Sequence, residues 1–311
     1  MITSSAPGKI ILFGEHAVVY GRPALAVPVT QVQATATLSE NSRGGVWIEA
    51  PNIALSSALS QLAPDHPLAA VINSVFSTLG IARPPACTVY LQSTIPVAAG
   101  LGSGAAVSVA ILRALSTYLG RPFTDIQVNG LAFQIEKLYH GTPSGIDNTV
   151  VTYARPVYFV KGQSIKTFRV GASFTLVIGD TGISAPTKES VGALRSLQEA
   201  DPARWEKVFN QVGEIVWDAR QAIERGDTAA LGELMDANHA LLQEMTVSCA
   251  ELDNLTEAAH KAGALGAKLS GGGRGGNMIA LVLKENAPAM AEALLAAGAK
   301  RTITTTVRSK K

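Results

Sequence analysis

Four stretches of this chain concentrate residues able to do chemistry. Pro96-Val97-Ala98-Ala99-Gly100-Leu101-Gly102-Ser103-Gly104-Ala105-Ala106 sets glycines at alternate positions ahead of a helix-forming run, Ala105 to Leu119. Glycines let a ligand approach backbone N–H groups closely, and Ser103 stands where an N-cap is expected. A glycine loop opening into a helix N-terminus suits an anion, polyphosphate above all, because unpaired N–H groups and the helix dipole both point at it. A turn that only admits tight packing has the same composition. The second run, Lys268-Leu269-Ser270-Gly271-Gly272-Gly273-Arg274-Gly275-Gly276-Asn277, holds five glycines in six positions. Such a run loses entropy on folding, so close backbone approach or a functional role should offset it.

The other two stretches carry lone polar residues, each with two readings. Lys9 heads an apolar strand after Pro7-Gly8, as a solvated lysine or a functional cation. His16 follows Glu15 in a turn led by Gly14, as a structural imidazole or a ligand. Glu136 shares a helix face with Phe133, as a surface carboxylate beside Lys137 or a Mg²⁺ ligand. Asp147 closes the loop His140-Gly141-Thr142-Pro143-Ser144-Gly145-Ile146-Asp147, as a backbone cap or a functional carboxylate. No histidine pair has zinc spacing. No G-x-x-x-x-G-K-[ST] occurs, and neither glycine run sits in a dinucleotide-binding setting. Ser103 is not in a nucleophile elbow.

Bulk properties narrow the class. The chain has 311 residues, 47% hydrophobic and 16% charged, which describes a globular protein with a sizeable core. A formal charge of +2 and 5% aromatics offer neither a polyelectrolyte nor a base-stacking surface for nucleic acid. Cys87 and Cys249 make no metal spacing and read as buried free thiols of a reducing compartment. Without a signal-peptide pattern or a ~20-residue apolar run, the expectation is a soluble, cytoplasmic protein with no membrane partner.

The elements that must position these residues follow from periodicity. Strands are expected at Lys9 to Phe13, over Ala24 to Leu38 (one strand or a pair), and at Val46 to Ala50 and Cys87 to Ile95. The alternation of Val32 to Leu38 implies one wet face. Helices are expected from Leu68 to Leu79, from Ala105, and from the capping box Thr124-Asp125-Ile126-Gln127 to about Tyr139. Thr149 to Val160 reads as two strands broken at Arg155-Pro156, and a boundary lies between Lys161 and Ser173. Beyond it come the strand Phe174 to Ile178 and the helix capped by Asp201-Pro202. Another helix starts at Asp227, and one opens at a second capping box, Ser248-Cys249-Ala250-Glu251. Strands near Ala267 to Leu269, Met278 to Leu283 and Thr302 to Val307 frame a helix at Pro288 to Ala297. The second half is thus α+β, with helices on one face of a small sheet.

Taken jointly, these stretches resemble the signature motifs of the GHMP kinases. Ser5 to Gly21, with Pro7-Gly8-Lys9 and Gly14-Glu15-His16-Ala17-Val18-Val19-Tyr20-Gly21, is similar to the family's N-terminal motif. Pro96 to Ala106 is similar to its ATP-phosphate loop, and Lys268 to Gly276 to its C-terminal glycine motif. The segment His140 to Asn148 resembles the catalytic segment of the branch that acts on mevalonate. The order is right from residue 5 to 277, and agreement at four places by chance is negligible.

The resemblance implies an α+β, two-domain fold: a ribosomal-S5-like domain over 1–168, a ferredoxin-like domain over 169–311, and the active site in the cleft. It implies phosphorylation of the C5 hydroxyl of mevalonate by ATP with Mg²⁺, in isoprenoid biosynthesis. Members are often homodimers. By carry-over Asp147 is the catalytic base and Lys9 its charged neighbour, and Ser103 and Glu136 hold Mg²⁺. Pro96, Ala99, Gly100, Leu101, Gly102, Ser103, Gly104, Ala105, Ala106, Gly271, Gly272 and Gly273 surround the nucleotide. Glu15, His16, Ser144, Gly145, Thr187 and Lys188 line the acceptor pocket, where His16 and Lys188 would suit a carboxylate. A lysine beside the base stabilises negative charge developing on the attacking oxygen, and Mg²⁺ takes few oxygen ligands from protein.

Some positions depart from the family pattern. Gly104 replaces a serine, Ser270 a threonine and Lys188 an arginine, and Arg274 interrupts the third glycine run with no role assigned to it. His16 stands where phosphomevalonate kinases usually have tyrosine, and Val18 where galactokinases have an aspartate for the sugar. Diphosphomevalonate decarboxylases lack the Gly14-Glu15-His16 turn. A non-catalytic sensor on this fold would typically have lost the base or the metal ligands, whereas Lys9, Ser103, Glu136 and Asp147 are all present.

Overall fold

The computed structural model describes the chain apart from residues 97–99, 141–142, 164–165, 185–186 and 310–311, and apart from the side chains of 139–140 and 187–188. It forms two compact units, one of residues 1–9, 32–97 and 101–154, the other of 10–31, 98–100 and 155–311. Among the described residues no helix is long and apolar enough to cross a membrane.

The first unit takes residues 2–9 of β1 (Ile2–Phe13) and 32–40 of β2 (Ala24–Glu40), together with β3 (Val46–Ala50), β4 (Leu55–Ala58) and β5 (Cys87–Ser93). Their order is β4-β3-β5-β2, with β1 on β2. β2 is one continuous strand, and its alternation works as expected. Val32, Ala34, Ala36 and Leu38 are buried, while Thr35 and Thr37 pair hydroxyls with Ser5 and Thr3 across the strand. Four helices complete the unit: α1 (Pro67–Leu79), α2 (Ser103–Tyr118), α3 (Asp125–His140) and α4 (Ile146–Tyr153). The capping box of α3 is formed, Thr124 N donating to Gln127 Oε1 (3.0 Å) and Gln127 N to Thr124 Oγ1 (3.3 Å).

Two expectations fail in this unit. Ser103 is the first residue of α2 rather than its N-cap; the cap is Gly102, with no side-chain capping bond. Ile146–Tyr153 is a helix and not a strand, so Asp147 sits in a helical first turn. The β-branched run Thr149 to Thr152 favours strand in isolation, but burial of Ile146, Val150 and Val151 overrides that preference. Thr149 Oγ1, donating to Gly145 O at 2.7 Å, finds its partner within the helix.

In the second unit β6 (Val157–Phe159) pairs with residues 24–26 of β2, and β7 (Lys166–Thr167) with β6. A separate antiparallel sheet runs β11-β8-β10-β9, from β8 (Phe174–Asp180), β9 (Gly266–Ser270), β10 (Asn277–Val282) and β11 (Arg301–Val307). Its helices are α5 (Thr187–Ala200), which the periodicity did not reveal, α6 (Pro202–Arg225), α7 (Thr228–Glu244), α8 (Ala250–Lys261) and α9 (Ala287–Ala296). Asp201 and Asp227 cap α6 and α7 through Arg204 N and Ala230 N. The second capping box is not formed, because the Ser248 hydroxyl donates to Asp253 instead (2.5 Å) and Cys249 takes the cap position. Every residue of β8, β9 and β10 is buried, and α7, α8 and α9 pack against that sheet. Cys87 is buried, its thiol pushed up to about 11 by burial, while Cys249 is only half-buried.

Candidate active site

In the first unit Lys9, Asp147, Glu136 and the start of α2 come together. Lys9 lies in β1, only 4% exposed, and its Nζ stands 3.0 Å from Asp147 Oδ1. Its backbone N–H donates to Leu101 O (2.9 Å), which ties the strand to the glycine loop. The Lys9 stem also explains a glycine. Gly102 has φ +72°, and a Cβ there would lie 2.9 Å from Lys9 Cγ. Gly102 therefore makes room for the lysine as well as opening the helix.

The first bond of the α2 ladder runs from Ala106 N to Gly102 O (2.9 Å), so the N–H groups of Ser103, Gly104 and Ala105 have no partner within the helix. Gly104 is exposed, Gly100 exposed, Pro96 and Ser103 half-buried, and Leu101, Ala105 and Ala106 buried beneath them. Ala99 lies outside the described residues.

Asp147 and Glu136 are carried by α4 and α3. Arg113 of α2 fastens both helices, its Nη2 donating to Asp125 Oδ1 (2.7 Å) and to Thr152 O (2.5 Å). Glu136 is half-buried, and its carboxyl is pushed up to about 8 by burial and then by the negative Asp147, with Lys9 opposing. The neighbouring Lys137 does not pair with Glu136 but lies 4.6 Å over the Phe133 ring. Ser144 Oγ accepts from Ile146 N (3.3 Å), and Gly145 is the N-cap of α4.

This donor set fits a hard divalent cation. A carboxyl raised by a neighbouring carboxylate is the group whose ionisation such a cation restores. Glu136 and Ser103 offer oxygen atoms only, and Ser103 makes no capping bond that would occupy its hydroxyl. Among the described residues no cluster of three His, Cys, Asp or Glu could hold a metal alone. Mg²⁺ completed by phosphate oxygens and water does not require one.

In the second unit the turn of Glu15 and His16 meets β9 and the glycine run after it. Glu15 forms an ion pair with Lys268, both side chains fully buried. Lys268 Nζ also donates to Leu269 O (2.7 Å), and Ser270 Oγ donates to Ile11 O (2.7 Å). His16 has φ +61° and is 6% exposed, with Nε2 3.1 Å from Gly272 O. A carbonyl only accepts, so Nε2 carries the proton and Nδ1 is a bare acceptor. Burial pulls His16 down to about 4, aided by Arg274 and Lys268 against the Gly272 bond. The imidazole is thus neutral near pH 7 and adds no positive charge for a carboxylate; its buried Nδ1 has no protein partner among the described residues.

The glycine run owes part of its composition to packing. A Cβ on Gly273 would lie 1.9 Å from Val247 O, whereas Gly271 has open space around it. Arg274 is held by its own backbone N–H to Val247 O (2.8 Å) and by Nε to Thr246 O (3.4 Å). The side chains of Thr187 and Lys188 lie outside the described residues. Lys268 was quoted within its motif but given no role. A lysine inside an otherwise apolar strand was the signal, since lysines are almost never fully buried without a partner.

A phosphate-type loop, a lysine–aspartate pair and a raised carboxyl together define a kinase acting on a small molecule. The model of the GHMP kinases N terminal domain matches residues 67–155, and that of the GHMP kinases C terminal domain matches residues 219–300. The chain is 36% identical to a mevalonate kinase of Thermococcus gammatolerans over 97% of its length and 95% of that protein. To the mevalonate kinase of Thermococcus sibiricus it is 38% identical at the same coverage. The structure of L. major mevalonate kinase in complex with R-mevalonate superposes with a TM-score of 0.87 at 30% identity, covering 99% of this chain and 96% of that one. The chain belongs to the GHMP kinase family, in its mevalonate kinase branch.

Proposed function

We propose that this chain transfers the γ-phosphoryl group of ATP to the C5 hydroxyl of mevalonate, giving 5-phosphomevalonate. The observation that carries the reading is the ion pair of buried Lys9 with half-buried Asp147, 3.0 Å apart, in the unit that also holds Glu136 and the α2 N-terminus. Asp147 takes the proton of the attacking hydroxyl, and Lys9 stabilises the negative charge that develops there. The N–H groups opening α2 cradle the phosphates, with the dipole of α2 behind them. Ser103 and Glu136 hold Mg²⁺, which when bound neutralises charge on the β- and γ-phosphates.

On the acceptor side, His16 offers Nδ1 to a hydroxyl of mevalonate, and Ser144 and Gly145 border the same group. Thr187 and Lys188 take its carboxylate, a charge that neutral His16 leaves to them. Glu15 acts from behind His16 rather than on the substrate, and Gly271 and Gly272 face the nucleotide. The chemistry divides the chain into a phosphate-loop and base domain over 1–168 and a third-glycine-motif domain over 169–311. The free thiols Cys87 and Cys249 support a cytoplasmic setting for the reaction.

The test is ADP release measured side by side with mevalonate, phosphomevalonate and galactose as acceptors. Mevalonate should turn over fastest; a faster rate on either of the others overturns the assignment.

A further inference from the structure

Positions 268, 270 and 272 alternate along β9 and the start of the glycine run, and each is bonded to the first motif. Lys268 pairs with Glu15, Ser270 donates to Ile11 O at 2.7 Å, and Gly272 O accepts from His16 Nε2 at 3.1 Å. Two of these bonds use backbone or a short hydroxyl. The third places two opposite charges where neither side chain has any solvent exposure. Desolvation makes such a pair a poor source of stability, since well-packed apolar residues of the same volume usually do as well or better. What an ion pair supplies that apolar residues do not is direction.

We propose that Lys268 is a positioning residue for acceptor recognition: its ammonium fixes Glu15 and so holds the adjoining His16 with Nδ1 presented as a hydrogen-bond acceptor. Lys268 touches no substrate. The proposal rests on the reading that His16 contacts mevalonate. Three features support it. Lys268 Nζ is fixed from a second side by Leu269 O (2.7 Å) and lies 5.9 Å from the centre of the Phe13 ring, two residues before Glu15. His16 holds a left-handed backbone (φ +61°), so its direction depends on what anchors the turn. Burial is the main reason that His16 stays neutral with Nδ1 an acceptor, and the charged groups acting on it, Arg274 and then Lys268, are both cations that work in the same direction. Behind β9, His239 accepts from Leu269 N through Nδ1 (3.3 Å), with Asp253 3.3 Å from its Nε2 and Asp236 acting on it more weakly.

The experiment compares Lys268→Met, Lys268→Arg and the double variant Lys268→Met/Glu15→Gln with the parent enzyme. The double variant removes both buried charges, so it keeps the test alive where the single Met variant does not fold. Steady-state kinetics should show KM for mevalonate raised about tenfold or more in both Met variants, KM for ATP within about twofold, and partial recovery with Arg. In parallel, the His16 imidazole is followed by NMR against pH, its resonance assigned by its absence in His16→Asn. It should titrate near pH 4 in the parent and at a higher midpoint in Lys268→Met. Equal shifts in both KM values, or a kcat loss that only tracks the folded fraction, overturn the proposal, as does an unmoved His16 midpoint. A parent enzyme inactive on mevalonate would sink the substrate reading alone, because the His16 titration still reports on Lys268.

Discussion

Two carboxyl groups of the first unit have different surroundings. Asp147 has Lys9 Nζ at 3.0 Å, while Glu136 is pushed up to about 8 by burial and by Asp147 itself. Environments that separate two carboxyls in this way assign them different roles. On the proposed reading, Asp147 takes the proton and Glu136 receives the cation. Asp147→Asn keeps the shape and can still accept from Lys9, but it removes the proton acceptor. We expect kcat to fall by about 10²–10⁴-fold with KM for ATP little changed. Single-turnover kinetics at saturating ATP checks this, and a variant with near-parental kcat would move the base elsewhere.

At the scale of elements, the glycine loop and β1 are fitted to each other through Gly102 and Lys9. Gly102→Ala puts a methyl group 2.9 Å from Lys9 Cγ on a backbone at φ +72°, so it is strained twice. It should cost about 1–3 kcal/mol of stability and lower kcat by displacing Lys9. Gly104→Ala, where the methyl group meets nothing, should stay within about 0.5 kcal/mol. Urea denaturation of the two variants makes the comparison, and equal stability would show that the loop yields without strain. The glycine loop opening into a helix was legible in sequence, because glycine spacing ahead of a helix former is a local signal. The fit to Lys9 was not, because residues 9 and 102 meet only in the fold. The same distinction runs through the other elements. The alternation of β2 and the capping box of α3 depend on neighbours and were readable. Helix α4 was misread because Thr149 to Thr152 is strand-like locally and helical only by burial. A lysine within the apolar β9 is a local signal of a buried partner, but that the partner is Glu15, more than two hundred residues away, emerges only in the fold.

For the whole molecule, buried titratable groups make stability depend on pH with opposing signs. His16 falls from 6.5 in the unfolded chain to about 4 when folded. Between those values the unfolded chain binds a proton that the folded one refuses, so stability is lost as pH falls from about 6.5 to 4. That difference corresponds to on the order of 3 kcal/mol. His239, also lowered by burial, acts in the same direction. Glu136 acts oppositely: raised from 4.5 to about 8, it favours the folded state below 4.5 and loses that contribution as pH rises through about 8. A stability profile of the parent therefore mixes the terms, but the difference between parent and His16→Asn isolates the first. Asparagine suits the substitution because it tolerates the left-handed backbone that His16 adopts. Urea midpoints at pH 7, 6 and 5, taken without Mg²⁺ so that Glu136 contributes equally to both proteins, should fall more steeply with acid for the parent. Parallel profiles would mean that His16 takes up a proton as readily in the fold as in the unfolded chain, so that Nδ1 is held as an acceptor only above about pH 6.5.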